Sequence, residues 1–164
     1  MKKKYLIAVL ALTIILTVAM TGCFVKVSIA DVYNAASYKT QTSGNRTISL
    51  TVKSGDTVVY SNINGEITQV EGFQFDNLIT GDAGAGLAFK SSYFNNEKLS
   101  KGSTESTYTA NIVDTQNFLG VSDATDATIK VVVNTKAKTL KSTTIKYKVS
   151  KSVDFDVEIQ VSVA

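Results

Sequence analysis

The chain has 164 residues, 17 of them basic and 14 acidic, with no histidine, tryptophan or proline. Without histidine the commonest general base and metal ligand is missing, which excludes Ser-His-Asp and Cys-His catalysis and most zinc sites. Three of the basic residues are Lys2, Lys3 and Lys4. The remainder is balanced at 14 against 14, which gives no reason to propose nucleic acid or an acidic partner.

The chain opens with those lysines, an apolar run from Tyr5 to Val18, and then Ala19-Met20-Thr21-Gly22-Cys23. A basic start, an apolar stretch and small residues at a cleavage point have the form of a secretory signal peptide. An uncleaved anchor helix is the alternative, since Tyr5–Thr21 reaches the lower limit for spanning a bilayer. Met20-Thr21-Gly22-Cys23 resembles the lipobox of bacterial lipoproteins. That resemblance implies a diacylglyceryl group on Cys23, cleavage before it by signal peptidase II, and attachment to the extracytoplasmic face of the cell membrane. Residues 1–22 are then the signal peptide and 23–164 a single lipid-anchored β-rich domain. Cys23 is the only cysteine, so no disulfide framework competes for it. Two acyl chains, at about 0.8 kcal/mol per buried methylene, would make the attachment nearly permanent.

Phe24 to Ser28 follow without a long Ser/Gly linker, which places the domain close to the membrane. Ser28-Ile29-Ala30-Asp31 has the form of a capping box with Asp for Glu, and Ile29, Val32, Tyr33 and Ala36 fall at helical spacing, predicting a helix over 29–39. The competing reading is a strand through Val25, Val27 and Ile29. Gln41 to Asn45 reads as a turn. From Arg46 the period becomes two: Ile48, Leu50 and Val52 alternate with polar residues, Ser54-Gly55-Asp56 turns the chain into Thr57–Ile63, and Asn64-Gly65 returns it through Glu66 to Phe75. Asp76 to Gly86 is a glycine-rich loop. It lacks the Lys-Ser/Thr of a phosphate cradle, so it carries no nucleotide signature, although long loops often carry function.

Leu87–Phe94 and Thr104–Ile112 are predicted strands, with Asn95-Asn96 and Lys101-Gly102-Ser103 as turn chemistry around a short segment. Asp114 to Gly120 reads as one capped helical turn. Ile129, Val131 and Val133 mark another strand, and a bulge or loose turn is expected near Thr139–Thr143. Ile145, Tyr147 and Val149 alternate with lysines. Val153, Phe155, Val157, Ile159, Val161 and Val163 alternate with polar residues. Joined through Ser150-Lys151-Ser152, these two segments are expected to pair Tyr147 with Phe155, Lys148 with Asp154 and Lys146 with Asp156.

Two charge patterns have both a functional and an ordinary reading. The seven lysines between Ala127 and Lys151 could face anionic headgroups, but lysines also protect exposed strands from aggregation, and that explanation is preferred. Asp154, Asp156 and Glu158 share one strand face and could serve as a hydrolytic acid and base. They are more simply the partners of the lysines. Asn45-Arg46-Thr47 matches a glycosylation sequon but has no weight in a bacterial lipoprotein.

The expected fold is mainly β (α+β): an antiparallel meander forming a curved sheet or half-barrel with one N-terminal helix, with a β-sandwich as the alternative. From Ser28 to Ala164 the layout resembles the LolA and LppX-like half-barrel lipoproteins, which hold acyl chains between sheet and helix. The resemblance lies in strand order and anchor, so no functional residues carry over. Two functions follow. The first is a non-catalytic binding module for a lipid or other apolar ligand, with Phe73, Phe75, Phe89, Tyr147 and Phe155 as candidate lining residues. The second is a structural or protein-interaction lipoprotein of the cell envelope with a closed core. No catalytic residue, metal ligand or cofactor is assigned.

Overall fold

The computed structural model describes residues 26–37, 46–63, 66–69 and 88–163. Met1–Cys23, the turn at Asn64-Gly65, Phe73, Phe75 and the glycine-rich loop lie outside the described residues. Eight strands form one sheet: β1 (Arg46–Ser54), β2 (Thr57–Ile63), β3 (Glu66–Gln69), β4 (Phe94–Lys101), β5 (Glu105–Ile112), β6 (Ala124–Asn134), β7 (Leu140–Ser150) and β8 (Asp154–Val163). Among the described residues two helices accompany them, α1 (Ile29–Ala36) and α2 (Thr115–Leu119), with a 3₁₀ turn at Ser91–Tyr93.

The strand order is β3-β2-β1-β8-β7-β6-β5-β4, and every neighbouring pair is antiparallel. The sheet is open and curled, as expected, and the sandwich alternative is set aside. It is not one uninterrupted meander. Two meanders, β1–β3 and β4–β8, join where the first strand pairs the last, from Arg46 opposite Val163 to Lys53 opposite Asp156.

Alternation decides which face is buried. Ile129, Val131 and Val133 of β6, Ile145, Tyr147 and Val149 of β7, and Val157 and Ile159 of β8 are each at most 2% exposed. The intervening Lys130, Lys146, Lys148 and Asp156 face solvent. Burying one such aliphatic side chain contributes roughly 1.5–3 kcal/mol, so this layer dominates stability. Helix α1 lies against β6 and β7 and buries Val32, Ala35 and Ala36. Its capping box is complete. The Asp31 N–H donates to Ser28 Oγ at 3.2 Å, and the Ser28 N–H donates to Asp31 Oδ2 at 2.9 Å.

Four local expectations need correction. Helix α1 ends at Ala36, short of Lys39; Ser37 is already extended (φ −67°, ψ 131°), with its N–H held by the Tyr33 carbonyl. Residues 88–93 form no strand: Ser91–Tyr93 is a 3₁₀ turn and the strand starts at Phe94. Asn95-Asn96 is not a turn but a bulge inside β4, where the register shifts between Asn95 and Lys98 and Asn96 takes φ 52°. Asparagine tolerates that left-handed conformation, so the same chemistry that suggests a turn also permits a bulge.

The fourth correction concerns the β7–β8 hairpin, whose faces are as expected but whose register is displaced by two residues. Tyr147 lies opposite Val157, Val149 opposite Phe155, Lys148 opposite Asp156 and Lys146 opposite Glu158. Ser150 pairs with Asp154 and donates to its carboxylate at 2.7 Å. The Lys151 N–H donates to the Val153 carbonyl, closing the turn one residue later than expected. Near Thr139–Thr143 the expected irregularity is a bulge, with Lys141 the extra residue between Leu140 opposite Val133 and Ser142 opposite Val132. The helical turn at Asp114–Gly120 is also present. Asp114 accepts from the Asn117 N–H, and Gly120 takes φ 76° as the C-cap, a conformation that favours glycine.

Candidate functional site

Tyr147 and Phe155 are core residues, 2% and 6% exposed. They lie on adjacent strands, Tyr147 directly opposite Val157 and Phe155 directly opposite Val149. Phe89 is half-buried and belongs to an aromatic cluster next to the β4 edge. Its ring centroid lies 5.8 Å from that of Tyr33, 5.6 Å from that of Phe94 and 5.3 Å from that of Phe118. Phe94 stands edge-on to Phe118 at 5.0 Å, and Tyr108 edge-on to Tyr33 at 5.8 Å. Such pairs contribute about 0.5–1.5 kcal/mol each beyond their buried area.

At the polar end of this cluster lies a constellation that sequence reading missed. The hydroxyls of Tyr33 and Tyr108 both donate to Glu97 Oε2, at 2.7 and 3.0 Å, and lie 3.4 Å from one another. Tyr33 comes from α1, Glu97 from the bulged edge strand β4, and Tyr108 from β5, where it is wholly buried. The bulge turns the strand where Glu97 must reach inward. Burial is the main reason both phenols are harder to ionise: Tyr33 is pushed up to about 12, its hydrogen bond with Tyr108 opposing the rise and Glu97 adding to it, and Tyr108 rises as well, with Tyr33 and Glu97 both adding to the rise. A phenol held so firmly neutral is a poor base and nucleophile. The trio is a fastener between helix and sheet edge.

The solvent face of the sheet carries an open groove of about 720 Å³ across β1, β8, β7 and β6. Lys53, Asp126, Lys146, Lys148, Asp156 and Glu158 line it. A second groove of about 540 Å³ continues over β5 and the bulge of β4, sharing Thr128 and Lys146 with the first. Lys146 pairs with Glu158 at 2.9 Å and Lys148 with Asp126 at 3.4 Å. Asp156 lies opposite Lys148 on one side and Lys53 on the other. Asp154, Asp156 and Glu158 therefore do share one face, but each has its own partner or neighbour of opposite charge or hydrogen-bonding capacity. Exposed pairs of this kind contribute about 0–1 kcal/mol each and give the face a neutral, polar character.

Comparison with protein families, with curated proteins and with solved structures finds no match to this chain. Function must therefore be argued from the arrangement itself. Among the described residues no three His, Cys, Asp or Glu side chains are grouped to hold a metal ion, and no helix is long and apolar enough to cross a membrane. The one signal that could have revealed the Glu97 fastener is an acidic residue followed by Lys-Leu in a segment otherwise rich in asparagine, and that pattern has too many ordinary explanations to stand out.

Proposed function

We propose that the protein is a non-catalytic, lipid-anchored envelope protein, held by diacylglyceryl Cys23 on the extracytoplasmic face of the membrane, whose domain has a closed core and works through its polar surface. The observation that carries the closed-core reading is the burial of Tyr147 and Phe155 among Ile129, Ile145, Val157 and Ile159, all at most 6% exposed. These side chains are already covered by the chain's own packing, as in an interior rather than a waiting pocket. The apolar-ligand module is the second reading. It is favoured by the half-buried state of Tyr33, Phe89 and Tyr93, which leaves the aromatic cluster within reach of solvent.

Native mass spectrometry of the mature protein extracted from its own membranes separates the two. The expected spectrum is the chain beginning at Cys23 plus its acyl modification and nothing more. A further apolar mass that is lost in Phe89→Ala would overturn the closed-core reading in favour of the second. The anchor is tested by Cys23→Ala, which should abolish acyl labelling and leave the precursor uncut; normal processing of that variant would refute it.

A further inference from the structure

Two turns and the start of α1 meet at one end of the sheet. The β6–β7 turn reaches α1 through Lys138, whose Nζ donates to Asp31 at 3.0 Å. It reaches the β4–β5 turn through Thr135, whose N–H donates to the Thr104 carbonyl and whose Oγ1 donates to the Gly102 carbonyl at 2.9 Å. This end therefore gathers Lys26, Lys101, Lys136, Lys138 and Lys141, all exposed. Two acids lie among them. Asp31 is committed to Ser28 and Lys138, and these hydrogen bonds hold it ionised, lowering its pKa to about 2. Glu105, at the start of β5, is the other. Among the described residues Lys26, Lys101, Lys136 and Lys141 enter no ion pair. The opposite end of the sheet carries Asp56, Asp114, Asp123 and Asp154, with Lys90 and Lys151. The charge is thus polarised along the strands.

The same basic end is the one nearest the anchor. Val27 is 1% exposed and built into the core. Only four peptide units separate it from Cys23, and whatever their conformation they span at most about 14 Å at 3.3–3.6 Å per residue. On that tether the start of α1, and the turns bonded to it, cannot lie far from the bilayer surface. The ionic screening length under physiological salt is about 8 Å, so lysines on those turns come within reach of headgroup charge.

We infer that the β4–β5 and β6–β7 turns form a basic cap that seats the domain on anionic phospholipid, with the sheet standing on its turn end and the acidic end directed outward. This rests on the reading of Cys23 as the lipid anchor. The seven lysines between Ala127 and Lys151 thereby divide. Lys138, Lys146, Lys148 and Lys151 are paired with Asp31, Glu158, Asp126 and Asp123 and Lys130 lies on the sheet face, whereas Lys136 and Lys141 remain for the membrane.

The test uses the mature lipidated protein reconstituted in bilayers of phosphatidylcholine alone or mixed with phosphatidylglycerol. Lysines are acylated with a water-soluble reagent and quantified by mass spectrometry. Lys101, Lys136 and Lys141 are expected to label at least about threefold more slowly on the anionic bilayer, with protection abolished by high salt, while Lys90 and Lys151 label equally on both. The combined variant Lys101→Glu, Lys136→Glu, Lys141→Glu should stay anchored and lose the anionic-lipid protection of Lys26. Its Lys90 and Lys151 rates report whether the fold is retained. Equal labelling on both bilayers, or protection of Lys90 and Lys151 instead, overturns the cap. The acyl mass on the Cys23 peptide is read in the same spectra. Its absence overturns the anchor and this orientation together, whereas an acylated protein without the lipid-dependent difference overturns the orientation alone.

Discussion

Glu97 offers the sharpest test of how the helix is held to the sheet. Glu97→Ala removes the acceptor of two phenol hydrogen bonds, at 2.7 and 3.0 Å. Hydrogen bonds to a charged partner are worth about 1.5–3 kcal/mol each, and an orphaned buried donor costs about as much. The loss is smaller than twice that value for two structural reasons. The two phenol oxygens are only 3.4 Å apart, so one can donate to the other once the carboxylate is gone. Tyr33 is half-buried, so water can reach it, whereas Tyr108 is fully enclosed. The net expectation is a loss of about 2 kcal/mol, a substantial part of the ~5–15 kcal/mol typical of a domain. Glu97→Gln keeps a carbonyl acceptor without the charge and should lose about half as much, since charge-assisted bonds are roughly twice as strong as neutral ones. Urea unfolding followed by circular dichroism reads both, and an unchanged slope with a midpoint about 1 M lower is expected for the alanine variant. The reasoning fails if Glu97→Ala unfolds within about 0.5 kcal/mol of the parent, below the range given for such a bond, or if glutamine costs as much as alanine. The phenols add a pH signature. Their folded-state pKa values lie above the ordinary 10.0, with Tyr33 at about 12. Their contribution is therefore complete below pH 10; that of Tyr33 is lost as pH rises through about 12 and that of Tyr108 at still higher pH, because the unfolded chain releases these protons first.

Gly102→Ala should destabilise the protein by about 1–3 kcal/mol, the usual cost of overpacking, because a Cβ there would overlap the Glu105 backbone carbonyl. A thermal melt unchanged from the parent would show that the β4–β5 turn relaxes freely. The hairpin register is open to a cross-linking test. Lys148→Cys with Asp156→Cys should form a disulfide on oxidation, since these positions lie opposite one another and directly opposed Cβ atoms are about 4.5–5.5 Å apart. Lys148→Cys with Asp154→Cys should not, because two residues along a strand add about 6.6 Å; the reverse result would restore the register expected from sequence.

That hairpin shows where sequence reading stops. The buried face of β7 and β8 was legible because a period of two is unmistakable in Ile145, Tyr147 and Val149 and in Phe155, Val157 and Ile159. A slip of one residue would expose every one of them. A slip of two leaves every side chain on its own face and is invisible to that pattern. Charge matching does not resolve it either, because β8 repeats an acid at 154, 156 and 158: Lys146 and Lys148 find acids in both registers. What separates them is turn geometry, the Ser150–Asp154 and Lys151–Val153 bonds. The β4 error has a similar origin. Asn95-Asn96 advertises a backbone freedom that serves a turn or a bulge equally, and only the pairing of Phe94 with Ile112 fixes which. The seam between β1 and β8 was not legible either, because no local signal connects residues as far apart as Arg46 and Val163.

The candidate sites were less legible still, for the same reason at longer range. Glu97 acquires its meaning from Tyr33, 64 positions earlier, and from Tyr108 on the next strand. The lysines between Ala127 and Lys151 form one basic run in the sequence, yet alternation and chain reversal sort them into distinct environments. On the sheet face Lys146 and Lys148 meet Glu158 and Asp126 from β8 and β6, and the field they project is largely cancelled. Those at the β6–β7 turn have no strand beside them to supply an acid. On the β6–β7 turn Lys138 finds one in Asp31, because the N-terminus of α1 needs a carboxylate for its own cap. A single residue thus caps the helix, ties the β6–β7 turn to it and sets which lysines remain unpaired. The electrostatic polarity of the domain follows from the topology, not from its nearly neutral composition.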